Sequence, residues 1–210
     1  MEVDLCFVMD CTGSMGSHIN AAKDCILNVA KCMEKMKPSV KIRFGFCGYR
    51  DHCDGANRLQ TFPFTESYVQ FEKDLSGVSP MGGGDTPEDV LGGLNVAVNQ
   101  MSWRNEARII FHIGDCPSHG RRYKNIDDDY PNGDPNGLTA ERVLGEMKSK
   151  NIFYFFGKIT SFTNEMVNIF RSIIGEFPVY DLNSVDTGLL VYKFFEATCS
   201  AIKTAISLIE

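Results

Sequence analysis

Among its 210 residues the sequence has one tryptophan, four histidines and no long apolar run. The stretch Leu5–Met9 is stopped by Asp10, too short to cross a membrane, and lacks the basic start of a signal peptide. Basic residues are also in deficit: 21 Lys and Arg face 27 Asp and Glu, a net charge of −6. That balance argues against general binding to nucleic acid or to an anionic membrane surface, both of which favour basic proteins. No internal repeat and no dividing linker is visible, so one domain spanning 1–210 is expected. Hydrophobic residues at 43% and charged residues at 23% exclude wholesale disorder and coiled coil. With Met1 as the natural start, the expected location is cytoplasmic. Eight cysteines in a reducing compartment are then free thiols or ligands rather than a disulfide framework.

What is present is an alternation of strand and helix patterns. Val3–Met9 is a compact apolar strand. Ile19, Ala22, Ile26, Val29, Met33 and Met36 recur every three or four residues, one buried helix face, which Pro38 closes. Lys41–Tyr49 and Leu59–Phe64 read as strands joined by a link short enough for an antiparallel hairpin. Helix patterns follow at Tyr68–Leu75, from Thr86–Pro87 through Met101, at Thr139–Lys150, Asn164–Ile174 and Thr187–Ile209. Strand patterns lie at Arg108–Gly114, Ile152–Phe156 and Phe177–Tyr180. The Thr86–Pro87 pair looks like an N-cap hydroxyl followed by proline at the first helical position. This is an α/β order: a doubly wound, mostly parallel sheet with helices on both faces and one antiparallel edge strand. The polar loop Cys116–Gly137 is long for a compact domain, and such loops are often functional.

Ligands of open α/β sheets bind beyond the carboxyl ends of the strands. Three polar segments should reach that edge: Asp10-Cys11-Thr12-Gly13-Ser14-Met15-Gly16, Gly82-Gly83-Gly84-Asp85-Thr86, and Asp115. Asp10, Thr12, Ser14, Thr86 and Asp115 are hard oxygen donors suited to a cation such as Mg²⁺. Because hydroxyls donate weakly, an ion held this way stays electrophilic enough to accept a carboxylate from outside.

The pattern Asp10-x-Thr12-x-Ser14, then Thr86, then Asp115 resembles the metal-ion-dependent adhesion site of von Willebrand factor type A (VWA) domains. The segments Gly48–His52, Gly82–Glu88, Asp115–Gly120 and Asp129–Leu138 are more similar still to the type A domain found alongside alpha-type protein kinases. No kinase domain lies in these residues. The resemblance implies a Rossmann-like fold and a Mg²⁺ or Mn²⁺ ion. Ser14 and Thr12 or Thr86 would bind it directly, and Asp10 and Asp115 directly or through water. The implied function is recognition of a protein partner that supplies a carboxylate, with no enzymatic activity.

Other readings compete at several positions. Asp127–Asp129 and Asn132–Gly137 partly imitate a calcium loop, but the first position is not Asp and the twelfth is Val143, so a solvated acidic loop is expected. Cys47, His52, Cys53, Cys116 and His119 could serve zinc, although no Cys-x-x-Cys pair exists. Cys6, Cys25, Cys32 and Cys199 are expected in the core, and His112 is expected to be a satisfied core histidine. His119 is a candidate neighbour of the ion and of an incoming ligand. Arg50, Arg121, Arg122 and Lys124 are expected to rim the same edge. The alternative function is a Mg²⁺-dependent phosphohydrolase with Asp10 as nucleophile. Thr12 then stands where a general acid would be needed. A third reading is a scaffold whose metal only holds loops together.

Overall fold

A computed structural model describes all 210 residues. The central strand, β1 (Glu2–Asp10), is buried along almost its whole length. It pairs in parallel with β2 (Lys41–Tyr49) on one side and with β4 (Ala107–Gly114) on the other. β3 (Leu59–Thr65) returns antiparallel along β2, while β5 (Ile152–Lys158) and β6 (Val179–Asp181) extend the sheet in parallel beyond β4. The order is β3-β2-β1-β4-β5-β6. Winding therefore proceeds outward from β1 in one direction and resumes at β4 in the other. The ends of β1 and β4 form the topological switch point where α/β sheets open a crevice.

Alternate residues of β1 feed two separate cores, as the two-residue period of a strand requires. Val3, Leu5, Phe7 and Met9 pack on the face covered by α1 (Gly16–Met36), α2 (Tyr68–Ser76) and α6 (Thr187–Ile209). Cys6 and Val8 pack on the face covered by α3 (Val90–Gln100), α4 (Ala140–Ser149) and α5 (Asn164–Ile174). The α1 face carries Ile19, Ala22, Ile26, Val29 and Met33 inward as its spacing predicts, but Met36 in the last turn is exposed. His112 is the expected core histidine. It lies between the hydroxyls of Tyr49 and Tyr154 at 2.8 and 2.6 Å, and burial lowers its pKa to about 3, so it stays neutral.

One boundary differs. Helix α3 begins at Val90, not at Thr86–Pro87, and its cap is Asp89, whose carboxylate accepts from the Gly92 N–H at 3.0 Å. Before that cap, the backbone N–H groups are used by neighbours. Glu88 N–H donates to Pro117 O and Asp89 N–H to Arg50 O, both at 3.0 Å. Those bonds hold the segment extended past the proline, and a stronger N-cap three residues later starts the helix.

Candidate metal centre

The register pairs Met9 with Ile113, so the next turns of chain set Asp10 and Asp115 side by side at the crevice. Asp10 is fully buried. Its Oδ1 accepts from the Thr12 N–H at 2.9 Å and the Thr12 hydroxyl at 2.5 Å. Ser14, exposed at the tip of the turn, donates its hydroxyl to Asp115 Oδ2 at 2.5 Å. Each carboxylate thus has one occupied oxygen. The other, Asp10 Oδ2 or Asp115 Oδ1, is enclosed with no hydrogen-bond partner. Burial, then the charge of Asp115, pushes the Asp10 carboxyl well above its usual range, and the two bonds from Thr12 only partly oppose this. Two like charges in one buried site demand a proton or a cation. The oxygens left without partners, beside two hydroxyls, fit a hard divalent cation such as Mg²⁺ or Mn²⁺.

The glycine-rich segment lies against this turn. Met81 N–H donates to Cys11 O at 3.1 Å and Gly13 N–H to Gly82 O at 3.4 Å. Gly83 has φ of +90°, and a Cβ there would stand 3.5 Å from the Thr12 side chain and 3.1 Å from Glu88 Oε1. Only glycine suits both the conformation and the approach. The structure brings Asp10, Thr12, Ser14 and Asp115 into one hydrogen-bonded pair of pairs. Thr86 sits half-buried in the bend that follows the glycines and makes no side-chain hydrogen bond to the other four.

Glu88 was not singled out by sequence reasoning. It is buried, its Oε2 has no partner, and burial followed by the charges of Asp10 and Asp51 raises its pKa to about 10. Its position two residues beyond Thr86 was the only available signal. It adds a third carboxyl group to the electrostatics of the crevice.

Several flanking residues depart from expectation. His119 does not face an incoming ligand. It is buried between Asp51, 2.7 Å from Nε2, and Asp128, 2.6 Å from Nδ1. Burial would lower its pKa, but the two carboxylates outweigh that and push it up to about 9, so it is an imidazolium at neutral pH. Arg50 is not on the rim either. It is 2% exposed and donates to the carbonyls of Cys11, Asn57 and Ser79. Arg121 and Arg122 are exposed, Arg122 paired with Glu141, while Lys124 lies 4.8 Å over the Phe162 ring.

The acidic loop is only partly solvated. Asp127 and Asp129 are exposed, but the Asp128 side chain is buried against His119 and the Gly120 N–H, and that of Asp134 is buried too. All eight cysteines are free. Cys6, Cys25 and Cys199 are buried and Cys32 half-buried, as expected of core thiols. No group of three potential ligands contains a cysteine, so the thiol-based zinc set does not assemble. Burial pushes the Cys11 thiol up to about 12, which removes it from ordinary thiolate chemistry.

A sequence profile described as the von Willebrand factor A domain matches residues 4–126. The chain belongs to the von Willebrand factor A family. The alpha-protein kinase vwkA of Dictyostelium discoideum is 40% identical to this VWA domain over 170 residues, 80% of the chain. A putative ariadne-like RING finger protein of Acanthamoeba polyphaga mimivirus is 28% identical over 121 residues, 56% of the chain. The domain spans only 27% and 11% of those two proteins. Among solved structures, the SpRpn10 VWA domain aligns over 91% of this chain and 93% of its own, with a TM-score of 0.59 at 15% identity. Proximal thread matrix protein 1 from the mussel byssus aligns over 96% of this chain and 46% of its own, with a TM-score of 0.63 at 12% identity. At such identities the likeness speaks for the fold.

Proposed function

We propose that this VWA domain is a divalent-metal-dependent protein-binding module. Domains of this family mediate protein interactions. In this reading Asp10, Thr12, Ser14, Thr86 and Asp115 hold Mg²⁺ or Mn²⁺, and a carboxylate from a protein partner completes the coordination. The whole chain, 1–210, acts as one non-enzymatic module. No helix is long and apolar enough to cross a membrane, and the module is proposed to work in the cytoplasm, as a regulatory or adaptor domain related to those of alpha-kinases.

The observation that supports this reading most is the pair of enclosed carboxylate oxygens without partners, Asp10 Oδ2 and Asp115 Oδ1. Each is left free because a hydroxyl of the same motif occupies its twin. Leaving a buried acceptor unpaired costs about 1–3 kcal/mol, more for a charged one. A bound cation would turn that cost into affinity. The exposed Ser14 side leaves a route for an outside carboxylate.

Calorimetric titration with Mg²⁺ and with Mn²⁺ tests the metal. The unmodified protein should bind about one equivalent, and Asp10→Ala and Thr86→Ala should abolish binding while the circular dichroism spectrum is unchanged. Absence of binding by the unmodified protein overturns the reading. Capture of a partner in Mg²⁺ that is lost in chelator supports recognition through the ion. Capture indifferent to chelator supports a scaffold instead.

A further inference from the structure

A second cluster uses residues that the site above leaves aside. His52 follows β2, Asp89 caps α3, and Asp134 lies in the long loop after β4. His52 Nε2 stands 3.4 Å from Asp89 Oδ1 and 3.3 Å from Asp134 Oδ1. One ligand atom from each of the three residues lies within 4.8 Å of the others. The side chains are 8%, 1% and 3% exposed. His52 Nε2 and Asp134 Oδ1 are enclosed and have no hydrogen-bond partner.

Each group is held in place from behind. Asp134 Oδ2 accepts from the N–H groups of Asn136 and Leu138 at 2.9 and 3.0 Å, which leaves Oδ1 for His52. Asp89 Oδ1 takes the Gly92 N–H, and its Oδ2 takes the Arg58 guanidinium. The His52 ring packs edge-on to Tyr130 at 5.1 Å and tilted against His119 at 5.5 Å. A ligand set fixed in this way is preorganised.

His119 supplies an internal contrast. It also lies between two aspartates, but at 2.7 and 2.6 Å, the lengths of charge-assisted hydrogen bonds. His52 stands 3.3 and 3.4 Å from its two, too far and too poorly aligned for such bonds. The longer spacing is the one found between neighbouring ligands of a tetrahedral ion with bonds of about 2.0–2.1 Å, which separates donors by about 3.3 Å. An imidazole beside two carboxylates suits zinc-class ions better than Mg²⁺ or Ca²⁺, which prefer oxygen alone.

We propose that His52, Asp89 and Asp134 hold a zinc-class divalent ion at a site separate from the Asp10–Asp115 crevice. Such an ion fastens together the link after β2, the start of α3 and the long loop after β4. The Arg58 guanidinium offsets part of the charge of Asp89, and this sets the affinity below that of a site with two free carboxylates.

The test disables the crevice first. Asp10→Ala protein is titrated with Co²⁺ and Zn²⁺ alone, and the visible absorption of Co²⁺ reports a tetrahedral nitrogen–oxygen shell. About one equivalent should bind. His52→Gln and Asp134→Asn, each added to this background, should each weaken binding by at least about tenfold without changing the circular dichroism spectrum. The asparagine oxygen can still accept from Asn136 and Leu138, so Asp134→Asn carries the test if His52→Gln fails to fold. No bound Co²⁺, binding undiminished in both variants, or a thiolate charge-transfer band would each overturn the proposal. Because the background lacks Asp10, the outcome does not depend on whether the crevice binds Mg²⁺.

Discussion

Strand β1 carries two aspartates that are both 0% exposed, Asp4 near its start and Asp10 at its end. Asp4 accepts five hydrogen bonds. Arg43 supplies two, at 2.7 and 2.8 Å, and the Asn105 side chain and the backbone N–H groups of Arg104 and Asn105 supply three more. Burial alone would raise its pKa, but Arg43 and these donors hold it below the usual 3.8. Asp10 accepts two bonds, both on one oxygen, and faces another carboxylate. Burial and Asp115 push its pKa the opposite way. One strand thus uses the same residue type as an anchor at one end and as a half-matched acceptor at the other. What separates the two roles is whether every lone pair is matched, not how deeply the residue is buried.

The comparison can be broken most severely at Asp4. Asp4→Ala leaves the Arg43 guanidinium without its partner, and urea denaturation should show a loss of about 3–5 kcal/mol. If the loss is no greater than for an exposed ion pair such as Arg122–Glu141, Asp4 is not the anchor described here. Asn105→Ala removes a single donor to Asp4 and should cost about 1–2 kcal/mol by the same assay.

The pH dependence follows from sign. The Asp4 pKa is lowered on folding, so in that window the unfolded chain binds more protons and stability rises with pH. Its contribution is present above 3.8 and is lost as pH falls through the depressed folded value. Acid-denaturation curves of Asp4→Asn should lack that limb. The smallest effect on stability is expected at Asp10. Asp10→Asn relieves a buried repulsion, so metal-free stability should change by less than about 1 kcal/mol or rise, while Mg²⁺ binding disappears. A loss as large as that of Asp4→Ala would erase the distinction.

The mostly parallel sheet, its antiparallel edge strand and both helical layers were legible in the sequence, because strand and helix periods carry them, whereas the strand order was not. Asp10, Thr12, Ser14 and Asp115 were read as one group and lie together. Asp4 was not legible. It occupies an inward position in an alternating strand, and only its distant partners at Arg43 and Arg104–Asn105 make that position tolerable. Arg50 was misplaced because charged residues are expected at the surface and nothing local announces the three carbonyls that bury it. His119 was read as a neighbour of the ion and of an incoming ligand, and nothing local announces the two carboxylates that enclose it. The start of α3 followed the Thr86–Pro87 signal in sequence but the backbone bonds of Glu88 and Asp89 in the fold. The cluster of His52, Asp89 and Asp134 draws on three segments far apart in the chain. The sequence offers His52 as a zinc donor and Asp134 as part of a calcium-like loop, but nothing in it singles out Asp89.

Arg50 has a mechanical consequence. Its guanidinium is shared by the turn after β1, the link between β2 and β3, and Ser79, three residues before Gly82. A shift of any one of these segments by more than a fraction of an ångström would strip a carbonyl from a buried cation. The turn after β1, the β2–β3 link and the chain at Ser79 are therefore riveted together through one buried cation.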